Sequence, residues 1–242
     1  MNYEDFLELV KNRRSIRRFK PDPIPDDSVD KIIEAARWAP SGFNSQPWEF
    51  VVLKNQELKD RIVELISEYR VENTRIESAR ESWQKVTQTQ QPRGLMDYGN
   101  APVFILLFGD TRTKAGLPMA ARFNYQLGQS VFISSLACAF MYMHLAATSL
   151  GLASQWLGGV QVPFIHCLLK DILGMPEELD VYGMMAVGYP ASWPRPKLMR
   201  ENNKFIHYDH FNKSEFRTDE EVNDFIRRTR TWVIATMGRG AD

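Results

Sequence analysis

The chain has 242 residues, 44% of them hydrophobic, and its thirty basic side chains are matched by thirty acidic ones. That hydrophobic content excludes a disordered chain, and the charge balance argues against a nucleic-acid binder, which carries a basic excess. Cys138 and Cys167 make no disulfide framework and residues 1–10 hold no apolar signal core, so the expected setting is reducing and cytoplasmic.

Tyr3, Phe6, Leu7 and Val10 recur at i, i+3, i+4 and i+7 and predict a first helix ending near Asn12. Residues 11–20 then place six basic side chains in ten positions, followed by Pro21, Pro23 and Pro25. Such a run is either a solvated face or an anion site. Guanidinium and hydroxyl donors converging from Arg13, Arg14, Ser15 and Arg17 suit a phosphate monoester. Val29, Ile32, Ile33 and Ala36 mark a second helix, capped from Asp26, Asp27 or Ser28 and stopped by Pro40.

The next stretch, residues 41–50, is the most informative. Ser41, Asn44, Ser45 and Gln46 offer donors and acceptors on a turn that Gly42 and Pro47 stiffen, with Phe43 and Trp48 alongside. The composition suits the edge and faces of a flat polar heterocycle, and equally a plain helix-to-strand connection. Residues 50–53 predict a strand buried on both faces.

Leu58, Ile62, Leu65, Ile66 and Tyr69 predict a third helix. Residues 71–99 are polar and poorly periodic, which fits a lid or mobile excursion, or else an exposed arm or dimer contact. Residues 103–108 read as a buried strand. Residues 126–150 are apolar nearly all round, with Gly151 as the helix C′ residue. That length is enough for a membrane span. Ser130, Ser134, Ser135, His144 and Thr148, and the lack of a second such segment, instead favour a helix in the middle of a protein.

In residues 152–159 the chain enters another strand, where Gly158 and Gly159 permit close backbone approach to a ligand. Residues 163–173 predict a short helix ended by Gly174, and residues 181–187 a last strand. A helix is also expected around Val222, Phe225, Ile226 and Val233. His207, Asp209 and His210 lack a supporting cluster, so no metal site is expected. His144, His166, Cys138 and Cys167 read as core residues, because no acid or base is placed beside them by spacing.

Arg13 to Arg17 as Arg-Arg-Ser-x-Arg, followed after one helix by Ala39-Pro40-Ser41-x-x-Asn44-x-Gln46-Pro47-Trp48, resembles the FMN-dependent nitroreductase family. Gly151-Leu152-x-x-x-Trp156-x-Gly158-Gly159 and Gly188-Tyr189-Pro190 resemble two further stretches of that family, so the resemblance covers roughly residues 3 to 200. It implies an α/β (α+β sandwich) fold with a central mixed sheet flanked by helices and a long buried central helix. It also implies an intertwined homodimer whose two chains share each flavin site. Residues 1–242 would form a single domain, with residues 71–99 as a lid over the flavin and 201–242 as a C-terminal extension.

The same resemblance implies that FMN is held by Arg13, Arg14, Ser15, Arg17, Pro40, Ser41, Gly42, Asn44, Gln46, Trp156, Leu157, Gly158 and Gly159. Arg13 would face the phosphate and Arg17 the N1/C2-carbonyl side of the ring. Lys197 and Arg200 are matching candidates for closing on the phosphate, and the sequence does not choose between them. The implied chemistry is ping-pong: NADH or NADPH reduces the flavin, then a small-molecule acceptor (a nitroaromatic, quinone or similar electrophile) is reduced in turn. No catalytic side chain, metal, nucleic acid or membrane enters this reading. One alternative is reductive dehalogenation of a halophenol, as in iodotyrosine deiodinases, whose acidic, tyrosyl and lysyl substrate-holding trio is not placed at matching spacing in residues 66–98. A flavin-destroying enzyme and a flavin-binding sensor without turnover are the others.

Overall fold

The computed structural model describes residues 2–79, 98–194, 196–201 and 205–237. The chain divides into two compact units, Met1–Tyr69 with Met96–Ser192, and Arg70–Leu95 with Trp193–Asp242.

The first unit is built on four strands: β1 (Trp48–Leu53), β2 (Val103–Asp110), β3 (Ala153–Leu157) and β4 (Leu179–Gly188). They lie in the order β1-β2-β4-β3 with every ladder antiparallel. The sheet is thus antiparallel where a mixed one is expected; outside the named strands, Ser15 makes an isolated parallel bridge to Ser154. The side-chain period of two along β2 sorts its residues onto two cores. Phe104, Leu106 and Phe108 pack with Ile16, Phe19, Ile62 and Ile165, whereas Val103, Ile105 and Leu107 pack with Ile32, Phe132, Leu136 and Phe140.

The helices that cover these faces are α1 (Tyr3–Asn12), α2 (Ser28–Arg37), the start of α3 (Gln56–Ser78), α4 (Met119–Arg122), α5 (Tyr125–Ser149) and α6 (Pro163–Leu173). Local chemistry sets their ends. Asn2 and Asp5 form a reciprocal capping box on α1, each side chain accepting the other's backbone N–H at 2.9 Å. The Asn124 side chain caps α5 by accepting the Leu127 N–H at 3.0 Å. Gly151 and Gly174 follow α5 and α6 with φ of 72° and 63°, the left-handed geometry that glycine adopts without a Cβ penalty. Where the neighbouring chain is polar, burial is satisfied locally. Buried Lys59 donates from Nζ to Ala101 O and Pro102 O at 2.8 and 3.1 Å, and desolvation lowers its pKa.

Three further sequence expectations change. β1 is an edge strand whose Phe50, Val51 and Val52 are half-buried, not a strand covered on both faces. α3 continues to Ser78 through residues 71–78, which by their weak periodicity read as part of an irregular excursion; no proline or glycine interrupts residues 55–91. Residues 80–97 of that excursion lie outside the described ones. α5 is long and apolar enough to cross a membrane by length and composition, and it buries one face against α2 and the sheet. Its other face keeps Ile133 44% and Met141 40% exposed, so a single chain does not bury this helix all round.

In the second unit, Thr218 and Glu221 cap α7 (Asp219–Met237) reciprocally, at 2.9 and 3.2 Å. His207 packs on Phe211 at 4.2 Å and Phe211 on Phe216 at 6.0 Å.

Candidate functional site

The basic segment leaves α1 in extended geometry at Arg13, whose N–H still donates to Leu9 O at 3.0 Å. It then runs beside β3, with the Ile16 N–H donating to Ser154 O at 3.1 Å. Ile16 and Phe19 are buried and fasten the segment to the core. Lys20 N donates to Tyr189 O and Ala191 N to Arg18 O, both at 2.9 Å, which secures its far end. With these two apolar residues turned inward, Arg13, Arg14, Ser15 and Arg17 are left half-buried.

Burial lowers the pKa of all three arginines, and the charge of Arg14 lowers that of Arg13 further. Arg17 donates to Ser15 O at 3.3 Å. Among the described residues, no carboxylate acts on Arg13 or Arg17 to offset the desolvation. Partly desolvated guanidiniums without an acid partner are unfavourable until an anion joins them.

Residues 41–46 form a strained turn around Gly42–Asn44. Phe43, Asn44 and Gln46 have φ of 55°, 53° and 43°. Left-handed backbone costs a non-glycine residue about 1 kcal/mol or more, so the turn must be held by its surroundings. Gly42 provides the hold: its N–H donates to Ser135 Oγ of α5 at 3.0 Å, and a Cβ there would collide with Val131 Cγ1. Ser135 Oγ in turn donates to Val131 O at 2.8 Å. Within the turn, Gln46 N donates to Ser41 Oγ at 3.0 Å and Gln46 Nε2 to Asn44 Oδ1 at 3.1 Å. Pro40, Phe43, Asn44 and Gln46 stay exposed, with Ser41 and Gly42 half-buried.

The third element is the exit of β3. Trp156 is 37% exposed and meets Phe140 edge-on at 4.7 Å, while Leu157 is buried. Gly158 and Gly159 begin a 3-10 turn, Gly158–Gln161, and no atom lies within 4 Å of a Cβ placed on Gly159. His144 of α5 stacks on Trp156 at 6.0 Å and places Nδ1 2.7 Å from Ser154 Oγ. Burial and the Arg13 charge push its pKa down to about 3, so the imidazole is neutral.

The sequence thus named the basic segment, the turn and the Gly-Gly stretch, all within the first unit. It did not name the residues that hold them. Ser135 counted there only as polar content in an apolar helix, and His144 only as core; neither carries a local signal, because each partner is distant or in another element. Lys197 and Arg200 belong to the second unit, where Arg200 lies 5.2 Å from the Phe205 ring. Their closure on a phosphate stays an expectation.

Iodotyrosine deiodinase 1 of Rattus norvegicus is 30% identical over 194 residues, 79% of this chain and 64% of the length of the deiodinase. The solved NADPH:FMN oxidoreductase from Vibrio harveyi complexed with NAD+ superposes with a TM-score of 0.67 at 18% identity, over 93% of this chain and 85% of that one. An FMN-dependent nitroreductase from Clostridium difficile gives 0.60 at 21%, over 85% and 99%. At those identities the two structures show the fold alone. The family model of the Nitroreductase family matches residues 10–189, which contain the basic segment, the strained turn and the Gly-Gly stretch, and the chain belongs to that family.

Proposed function

We propose that the protein is an FMN-dependent oxidoreductase that takes electrons from NADH or NADPH and passes them to a small electrophile such as a nitroaromatic or a quinone. The observation that carries this reading is the pair of half-buried guanidiniums, Arg13 and Arg17, on which no carboxylate acts among the described residues. The donor set fits FMN. Guanidiniums and the Ser15 hydroxyl suit a phosphate monoester, and the exposed amides of Asn44 and Gln46 suit a heterocycle edge.

When bound, FMN supplies the redox chemistry, and the protein's part is to bind, orient and tune it. In this reading Arg13, Arg14 and Ser15 would hold the phosphate. Pro40, Ser41, Gly42, Asn44 and Gln46 line the ring edge. Gly158 and Gly159 bring backbone close, with Trp156 and Leu157 flanking them. Arg17 supplies a fixed cation beside the ring. No side chain is required as a general acid or base.

The reading includes a cytoplasmic homodimer with one domain per chain (residues 1–242) and a C-terminal extension over 201–242. Apolar side chains left exposed on one chain support the dimer: Tyr3, Phe6 and Val10 on α1, and Ile133, Met141 and Tyr142 on α5.

A second reading, reductive dehalogenation of a halophenol, is favoured by the 30% identity to a deiodinase. It shares the flavin site and differs in the acceptor. Anaerobic mixing tests both. The proposed function expects bound flavin to bleach with NADH or NADPH and to recover its colour with a nitroaromatic or a quinone. Iodide release from 3-iodotyrosine, with slow recovery by the other acceptors, would replace it with the dehalogenase. Absence of bleaching with either nucleotide would leave a sensor.

A further inference from the structure

His144 is a costly residue for its position. It is 2% exposed, with Phe140 edge-on to its ring at 5.0 Å and Trp156 stacked on it, so the imidazole sits among aromatic faces. Nδ1 is used, 2.7 Å from Ser154 Oγ, but Nε2 has no hydrogen-bond partner among the described residues. A buried polar atom left unpaired loses its hydration without compensation, a cost that a leucine or phenylalanine of similar size would avoid. Packing therefore does not account for a histidine here, and the bond that it does make is the place to look.

That bond ends on Ser154, the residue of β3 to which the basic segment is tied. Ser154 forms the parallel bridge with Ser15 and accepts the Ile16 N–H through its carbonyl. Its main chain thus sets the register of Ser15 and Ile16, while its side chain is held from the opposite element, α5, by His144. The charge of Arg13, two residues before Ser15, also reaches the imidazole. One residue of β3 therefore joins α5 to the segment of half-buried cations, alongside the buried Ile16 and Phe19 and the contacts at Tyr189 and Ala191.

We propose that His144 is a positioning residue for the anion end of the site: through the Nδ1–Oγ bond it locks Ser154 so that Ser15 and the arginines around it converge on a terminal phosphate. This rests on the FMN reading above. His144 touches neither ligand nor reacting atoms in this role; it acts through Ser154.

The test compares FMN with riboflavin, which has the same ring and lacks the phosphate, by flavin fluorescence titration of wild type, His144→Leu, His144→Asn and Ser154→Ala. Leucine fills the space without the bond. Asparagine carries an amide nitrogen near the position of Nδ1 and can restore it. Loss of one positioning hydrogen bond is expected to weaken FMN by about tenfold in His144→Leu and Ser154→Ala, with riboflavin unchanged and His144→Asn close to wild type. Unchanged FMN affinity in both, or equal losses for FMN and riboflavin that asparagine does not rescue, would overturn the role and leave a core histidine. If His144→Leu does not fold, Ser154→Ala carries the test, since it removes one hydroxyl and leaves the imidazole in place. Wild type that binds neither flavin would overturn the flavin reading itself, a result distinct from a wild type that binds FMN and variants that bind it equally.

Discussion

Gly42 and Ser135 meet across 93 residues of sequence, the Gly42 N–H donating to Ser135 Oγ at 3.0 Å. Through this contact a loop with three residues in left-handed backbone leans on the long helix α5. The turn is therefore held in part from α5.

Removing that support should be measurable. Ser135→Ala leaves the half-buried Gly42 N–H without this partner and should cost about 1 kcal/mol in urea unfolding. Gly42→Ala forces a methyl group against Val131 and should cost about 1–3 kcal/mol. Both should weaken FMN and riboflavin alike, because the turn is assigned to the ring. A loss confined to FMN would move the turn to the phosphate end.

Arg17 and Arg13 should separate in a redox titration. A fixed cation beside the ring stabilises the reduced, more negative flavin over the oxidised one, so Arg17→Ala should lower the potential of bound FMN. A net differential of about 1.4 kcal/mol corresponds to about 30 mV for a two-electron couple. Arg13→Ala should instead weaken both redox states equally. Equal potentials for wild type and Arg17→Ala at saturating FMN would take Arg17 away from the ring.

His144 should give the free protein a specific acid sensitivity. Its folded pKa, about 3, lies below its ordinary value of 6.5. Above 6.5 both states are neutral at this residue and it carries no penalty. As pH falls from 6.5 towards 3 the unfolded chain takes up the proton first, so stability is lost through that window at up to about 1.4 kcal/mol per pH unit. Chemical denaturation at several pH values should show His144→Asn with a shallower decline than wild type. Identical slopes would mean that the imidazole does not stay neutral on folding.

The homodimer can be tested through side chains that are exposed in one chain and so are not needed for its folding. Ile133→Glu with Met141→Glu should convert a dimer into a 28.0 kDa particle in light scattering and release flavin with it. Wild type that scatters as 28.0 kDa with flavin bound would end the dimer proposal.

Sequence by itself determined the features whose physics is local. α1, α5 and α6 were legible because a helical period, a capping Gly151 or Gly174 and an opening Pro163 lie within a few residues of one another. The arginine cluster and the Ser41 to Gln46 donors were legible as residue types because an anion and a polar ring demand such groups whatever the fold. Tertiary structure alone decided the rest. Residues 50–53 are equally apolar in an edge or a central strand, and only the pairing order made β1 an edge. Residues 71–78 lack a strong apolar period, yet nothing in them breaks the helix that starts at Gln56. Ser135, His144 and Ser154 are unremarkable letters in the chain. They became supports only when folding set Ser135 against Gly42 and Ser154 between His144 and the basic segment, because a hydrogen bond depends on distance in space and not on separation in sequence.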